Sequence, residues 1–439
     1  MKLEKMIYNL SFQTLIGMFL IGFGNYSFAQ KPYFNQQVKK LTSKTFNGRG
    51  YTYDGMSKAS LYLAKELKRL GVKPVGDTYL NAQQFPINII HDATITLNGQ
   101  QLVYGRDFIV KPSSKSVTVD DGNASYTFPI DAFEASFKSR AASIAFIKED
   151  EVNQKHKNII LPPFKSPVDS IHTFYKQWAN SYEKSNNENR AIFRFVSDSL
   201  TASLSQRQAN VTEFIIKEKF YTENLSIDEA KVHAEWVKDF KFNNVIGMVE
   251  GENNDSVIVI SGHYDHLGRV GASVFPGASD NASGTAMVMD LAKYYAKHKP
   301  KYKMVFMLFG AEEAGIVGAL KYVEHPLFPL KEIKFLVNLD IMGAGEDGIQ
   351  VVNGTKYKKE FNALVGLNEN LKLLKQVKVR GESCNSDHCP FDRKGVPSFF
   401  IYTLGGKGNY HNIYDTYQNL DLTYAPKVKK LLIEFINKL

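Results

Sequence analysis

The sequence predicts an α/β protein: a mostly parallel mixed sheet flanked by helices, with a β-rich stretch inserted in the first half of the chain. Residues 257–261, 304–309, 335–339 and 398–402 are short, almost uninterrupted apolar runs, the pattern of strands buried on both faces. Helical spacing at 282–298 and 316–323 separates the first three runs, so the strands alternate with helices. Between residues 93 and 128 the texture changes to short strands joined by turn residues. The composition agrees with a globular protein: of 439 residues, 44% are hydrophobic and 23% charged, which excludes a wholly disordered or fibrous chain and suits two domains or one large domain with an insertion.

Read in order, Lys2 and Lys5 precede the apolar run 15–21, and Ser27-Phe28-Ala29 offers small residues at the third and the first position before a cleavage point. Residues 1–29 therefore read as a secretory signal removed after Ala29. Gly22, Gly24, Asn25 and Tyr26 end the apolar run well short of the about 20 residues that a membrane span needs. No other long apolar segment occurs, so the expectation is an exported protein, periplasmic or secreted, without stable membrane insertion. A helix is expected over 56–70, where Ala59, Leu63, Leu67 and Leu70 recur at three- and four-residue spacing and Gly71 stops the pattern. Residues 93–97 and 101–104 flank Asn98-Gly99, the pair that a type I′ hairpin turn requires, and 116–119 with 125–128 repeat the arrangement around 120–123. Helical spacing is read at 227–240. Lys plus Arg exceed Asp plus Glu by 54 to 45, yet no run of five like charges occurs, so no nucleic-acid partner is expected. The only two cysteines, Cys384 and Cys389, exclude a four-cysteine zinc site and, in an exported protein, point to a small local disulfide.

Chemistry collects at one end of the predicted sheet. The run 257–261 leads into Gly262-His263-Tyr264-Asp265-His266-Leu267-Gly268, the run 304–309 into Gly310-Ala311-Glu312-Glu313, and the run 335–339 into Asp340. In open α/β sheets the loops beyond the carboxyl ends of the strands carry function. So many carboxylates at one edge would repel each other without cations, and imidazole and carboxylate without thiolate suit zinc or a similar divalent ion. Two ions about 3.5–4 Å apart can activate a water and polarise a carbonyl, but need a bridging carboxylate. Asp280 fits, in the small-residue loop Gly277-Ala278-Ser279-Asp280-Asn281-Ala282-Ser283-Gly284. The adjacent Glu312 and Glu313 cannot both point to one place, so one can ligate while the other takes a proton.

The segments His263-Tyr264-Asp265-His266-Leu267-Gly268, Ser279-Asp280-Asn281-Ala282-Ser283-Gly284, Gly310-Ala311-Glu312-Glu313-Ala314-Gly315, Asn338-Leu339-Asp340-Ile341-Met342-Gly343 and Tyr410-His411 resemble the successive ligand motifs of metallopeptidase family twenty-eight. That family comprises the di-zinc aminopeptidases and their glutamate carboxypeptidase relatives. The resemblance covers residue 244 to the end and, more weakly, 34–84, where Phe46-Asn47-Gly48-Arg49-Gly50 looks like the family's start. It implies a zinc-peptidase fold and two zinc ions: Asp280 bridging, His263 and Asp340 completing one site, Glu313 and His411 the other. It further implies Glu312 as general base and Asp265 as the carboxylate that orients the His263 imidazole. The expected division is a signal at 1–29, a first part of the catalytic domain at 30–84, an inserted accessory domain at 85–234 and the main catalytic part at 235–439.

His266 is left without a role, and His91, His156, His172, His233, His298 and His325 lack metal-type spacing. Ser386-Asp387-His388 looks like the family's segment near the substrate pocket, without an assigned function. No proline follows His411 where the family often has one. The implied activity is release of N-terminal residues from peptides with a free N-terminus. A glutaminyl cyclase of the same fold, with one zinc, and a non-catalytic binding relative are the alternatives; all ligand positions are filled, and Tyr410 stands where cyclases tend to carry Trp.

Overall fold

The computed structural model describes residues 32–155, 157–182 and 190–439, so the expected signal segment lies outside the described residues. The first long helix, α1 (Gly55–Leu70), follows the predicted spacing and buries Met56, Ala59, Leu63 and Leu67. Gly71 ends it in the left-handed region at φ 81°, with Val72 N–H returning to Leu67 O at 3.1 Å, a cap that a side chain at position 71 would strain. Two long strands, β1 (Leu80–Leu97) and β2 (Ile227–Val249), pair antiparallel in the main sheet. β1 turns back through Asn98 and Gly99, both at positive φ, to the short strand Gln100–Gln101, as Asn-Gly predicts.

The centre of the main sheet is made by β3 (Asn253–His263), β4 (Tyr302–Phe309), β5 (Ile333–Leu339) and β6 (Ser398–Thr403), which pair parallel in the spatial order β6-β5-β3-β4. These are the four apolar runs of the sequence. Being buried on both faces, they send alternate residues to opposite cores. Ile258, Ile260, Met304, Phe306, Phe335 and Val337 meet α1 and helix α2 (Gly284–Tyr295). Val257, Val259, Val305 and Met307 meet the other side, under helix α3 (Val317–Glu324). Each such fully buried side chain is worth about 1.5–3 kcal/mol relative to exposure, so the sheet centre is the rigid part of the molecule. β3 lies between β4, which follows it in the chain, and β5, which follows that, so the direction of winding reverses at its carboxyl end. In open α/β sheets ligand crevices form at such a switch point.

Two sequence expectations are corrected. Residues 227–240 form strand β2 rather than a helix, because register shifts at Ile227/Glu229, His233/Ala234 and Val237/Phe240 break the strict alternation of a strand and leave apolar residues at near-helical intervals. The expected second hairpin is not made either. Val117–Asp120 pairs with β2, whereas Ser125–Thr127 joins Asn158–Leu161 in a separate five-stranded sheet, so the intervening turn carries the chain from one sheet to the other. That second sheet also holds Phe108–Val110, Ala191–Val196 and Thr212–Lys217. The expected divisions at 84/85 and 234/235 fall inside β1 and β2. Cys384 and Cys389 are joined in a disulfide. Among the described residues no helix is long and apolar enough to cross a membrane.

Candidate metal centre

The carboxyl ends of the three central strands converge as the sequence predicts. His263 is the last residue of β3, Glu312 and Glu313 lie just beyond β4, and Asp340 directly follows β5. Asp280 comes from the turn 278–283 that opens α2, and His411 from the loop beyond β6. Asp280 divides its two carboxylate oxygens: Oδ1 lies 3.3 Å from His263 Nε2, and Oδ2 lies 3.1 Å from His411 Nε2. His263 Nε2 is also 3.4 Å from Asp340 Oδ1, and His411 Nε2 is 2.9 Å from Glu313 Oε2. Glu312 Oε2 stands farther off, 3.9 Å from His263 Nε2. Two groups of ligand atoms result, His263 with Asp280 and Asp340, and Asp280 with Glu313, His411 and His266. Tetrahedral zinc with about 2.0–2.1 Å bonds would set its ligand atoms about 3.3 Å apart; the first group has spacings of 3.3 and 3.4 Å and the second, more closely drawn together, 3.1 and 2.9 Å. Asp340 Oδ1 and His411 Nε2 are buried without a well-aligned hydrogen bond, their nearest polar neighbours being the other members of these groups.

The surrounding bonds fix these side chains. Asp415 Oδ2 accepts the N–H groups of Ser279 at 3.1 Å and Asp280 at 3.0 Å. The Asn281 amide bridges to Leu339 O at 3.1 Å. Ser386, in the disulfide-closed loop, donates to Asp340 Oδ2 at 2.9 Å and receives Asn338 Nδ2 at 2.8 Å. Asp265 is held by the Tyr51 hydroxyl at 2.9 Å and accepts the Glu312 N–H at 3.1 Å. The expected contact of its carboxylate with His263 Nδ1 is 3.7 Å, too long for a hydrogen bond, and Asp265's own carbonyl lies nearer, at 3.2 Å. The Asp265 side chain thus grips the backbone of the Glu312-Glu313 turn, while its main chain faces the imidazole. Beneath the site, the fully buried Arg49 guanidinium donates to the carbonyls of Tyr264, Pro276 and Gly277, each at 2.7 Å, and of Leu41 at 3.2 Å. It thereby ties the His263 loop to the segment leading to Asp280.

Without an ion the charges distort one another. Burial raises the Glu312, Asp340 and Asp387 carboxyls above their ordinary range. Burial and Asp280 push Glu313 up as well, but His266 and His411 outweigh them and bring it down to about 2. Burial opposes a proton on His411, yet Glu313 and Asp280 hold it there, up to about 11. His263 is likewise raised, Asp340 and Glu312 overcoming its burial. The carboxylates around His263 and His411 thus favour positive charge at this place.

Sequence reasoning left His266 aside. The structure puts it in the second group, fully buried, with Nδ1 2.5 Å from Glu313 Oε1. Its place three residues after His263 in one loop was the available signal; for Tyr51, more than 200 residues distant from Asp265, the sequence offered none. Of the histidines without metal-type spacing, His91 and His233 stack on each other at 4.9 Å far along the sequence from the cluster. A cavity of about 160 Å³ opens beside Asp280, lined by Ile341, Ala344, Tyr410 and Leu420.

Residues 244–436 match the profile of Peptidase family M28. Among curated proteins, the chain is similar to a vacuolar membrane protease of Candida glabrata, 26% identical over 185 residues, which covers 41% of this chain and 19% of that protein. It is also similar to a probable aminopeptidase of Saccharomyces cerevisiae, 27% identical over 249 residues, covering 53% of this chain and 63% of that protein. The chain thus spans between about a fifth and just under two thirds of the length of these curated relatives. Among solved structures, BSAP, a zinc aminopeptidase from Bacillus subtilis, superposes with a TM-score of 0.63 at 17% identity over 92% of this chain and 94% of that one. That likeness is one of fold: a central mixed sheet flanked by helices.

Proposed function

We propose that this chain, whose residues 244–436 match Peptidase family M28, is an exported zinc-dependent aminopeptidase that removes N-terminal residues from peptides. The observation that carries the two-ion reading is the division of Asp280, whose two oxygens serve separate ligand groups at 3.3 and 3.1 Å. His263 and Asp340 complete one group, Glu313 and His411 the other. When bound, two zinc ions supply Lewis acidity toward the scissile carbonyl and lower the pKa of the attacking water. Glu312 takes that water's proton and returns it to the leaving amine, a role supported by its position 3.9 Å from His263 and outside either ligand group. Asp265, bonded to the Glu312 N–H, fixes the turn from which the base projects. The cavity bounded by Ile341, Ala344, Tyr410 and Leu420 has room for one side chain, the one borne by the cleaved residue. A free α-amine is cationic and suits this anionic surround, whereas an acylated amine brings neither charge nor lone pair. The Cys384–Cys389 disulfide supports an oxidising compartment and hence export.

Metal analysis of the purified protein, with hydrolysis of a panel of aminoacyl anilides before and after chelation, tests the reading. Two zinc ions per chain and chelator-sensitive anilide hydrolysis are expected. One ion per chain with cyclisation of N-terminal glutamine would replace it by the cyclase.

A further inference from the structure

We infer that the segment 200–206, which runs between strands of the second sheet, is a structural part of the second ion site and positions His411 and Glu313 there. The inference rests on the two-ion reading above and extends it to the role of the inserted region. His411 and Ala202, 209 residues apart, bond to each other twice: His411 Nδ1 faces Ala202 O at 3.0 Å, and Ala202 N–H donates to His411 O at 3.1 Å. A ligating imidazole is commonly oriented by an oxygen on its other nitrogen, and removing such partners typically costs 10–100-fold in metal affinity. Here that oxygen is a main-chain carbonyl of the inserted region rather than of the fold that carries the ligand. The reciprocal bond has its own task, because the His411 backbone is held at φ 53°, in the left-handed region that non-glycine residues avoid.

Four residues further on, Gln206 Nε2 donates to Ala314 O at 2.6 Å, pinning the residue that follows Glu313. The segment is itself anchored. Leu200 and Ala202 are buried in the same apolar cluster as Phe193 and Phe195 of the second sheet, and Ser205 O accepts the Asn88 N–H of β1 at 2.8 Å. Both contacts toward the centre reach the group of Asp280, Glu313 and His411; His263, Asp340 and Ser386 are held by bonds within the main sheet and its own loops. Among the described residues these bonds of the segment reach His411 and the residue after Glu313, and neither His263 nor Asp340.

The experiment is calorimetric titration of zinc into the chelator-stripped protein, repeated with cobalt(II) to follow the visible absorption of each site as it fills. Ala202→Pro removes the N–H that His411 O accepts, and Gln206→Ala removes the tie to Ala314. Ala202→Pro is expected to weaken one of the two zinc sites by roughly 10–100-fold, leave the other at its wild-type affinity and change the cobalt spectrum of the weakened site. Gln206→Ala, an exposed position that keeps the main chain intact, is expected to weaken the same site to a smaller extent, and it carries the test by itself if Ala202→Pro fails to fold. Wild-type affinities at both sites in Gln206→Ala, or equal weakening of both sites, overturn the inference while leaving the two-ion reading standing. A wild-type protein that takes up fewer than two zinc ions overturns the reading and this inference with it.

Discussion

Replacing Arg49 by Met probes how the N-terminal segment supports the centre. Arg49 has no solvent exposure, and its guanidinium satisfies four main-chain carbonyls at 2.7, 2.7, 2.7 and 3.2 Å. A hydrogen bond to a charged group contributes about 1.5–3 kcal/mol, so four would give roughly 6–12 kcal/mol before the cost of burying the charge is set against them. That burial cost is visible in the guanidinium itself, lowered to about 10 by desolvation despite Asp415, Asp280, Asp265 and Glu313 nearby. The net loss in Arg49→Met is expected to be about 3–5 kcal/mol, because a side chain of similar length fills the space but leaves the carbonyls unsatisfied. At about 2.1 cal/mol/K per residue over about 400 residues, this lowers Tm by roughly 4–6 °C. Thermal unfolding in the presence of chelator, so that metal binding does not mask the effect, is the assay. Arg49→Lys, which keeps the charge but cannot reach four diverging carbonyls, should fall between the two. A Met variant within about 1 °C of wild type would show that the carbonyl cage contributes nothing net, and the reasoning would be wrong.

Two other outcomes are expected. Glu312→Gln should retain both zinc ions and lose about 10²–10⁴-fold in turnover, whereas Glu313→Gln should lose an ion as well; equal zinc loss in both variants would contradict the division between base and ligand. In the metal-free protein the His411 pKa is raised from 6.5 to about 11, so the stability it contributes is fully present below about pH 6.5 and disappears as pH rises through about 11. Zinc must displace that proton, so its affinity should rise about tenfold per pH unit for each proton released between pH 6 and 8, measured by calorimetry in buffers of different ionisation heat; uptake without proton release would refute this.

The parts of the fold legible in the sequence are those where one physical demand dominates. The strands 257–261, 304–309, 335–339 and 398–402 are buried on both faces, so nothing but apolar side chains fits, and the runs stand out. Asn98-Gly99 is legible because both residues take positive φ. β2 was not, because its three register shifts displace the apolar residues from alternation, and pairing with β1 decides its conformation over local preference. In the site, the residues that come from strand ends are visible because each follows an apolar run directly. His266 was obscured by its neighbour His263, whose role filled the motif first. The bonds from Tyr51, Arg49 and Ala202 could not be read at all, since a hydrogen bond to a main-chain carbonyl or across 200 residues leaves no spacing in the sequence.

Removal of residues from free N-termini by a two-ion centre can be followed by incubating the zinc-loaded protein with one peptide in two forms, free and N-acetylated, and recording the products over time by mass spectrometry. Stepwise loss of single residues from the free peptide is expected, abolished by chelator, with the acetylated form resisting cleavage. Equal cleavage of the acetylated peptide, or internal fragments before any single amino acid, would contradict it.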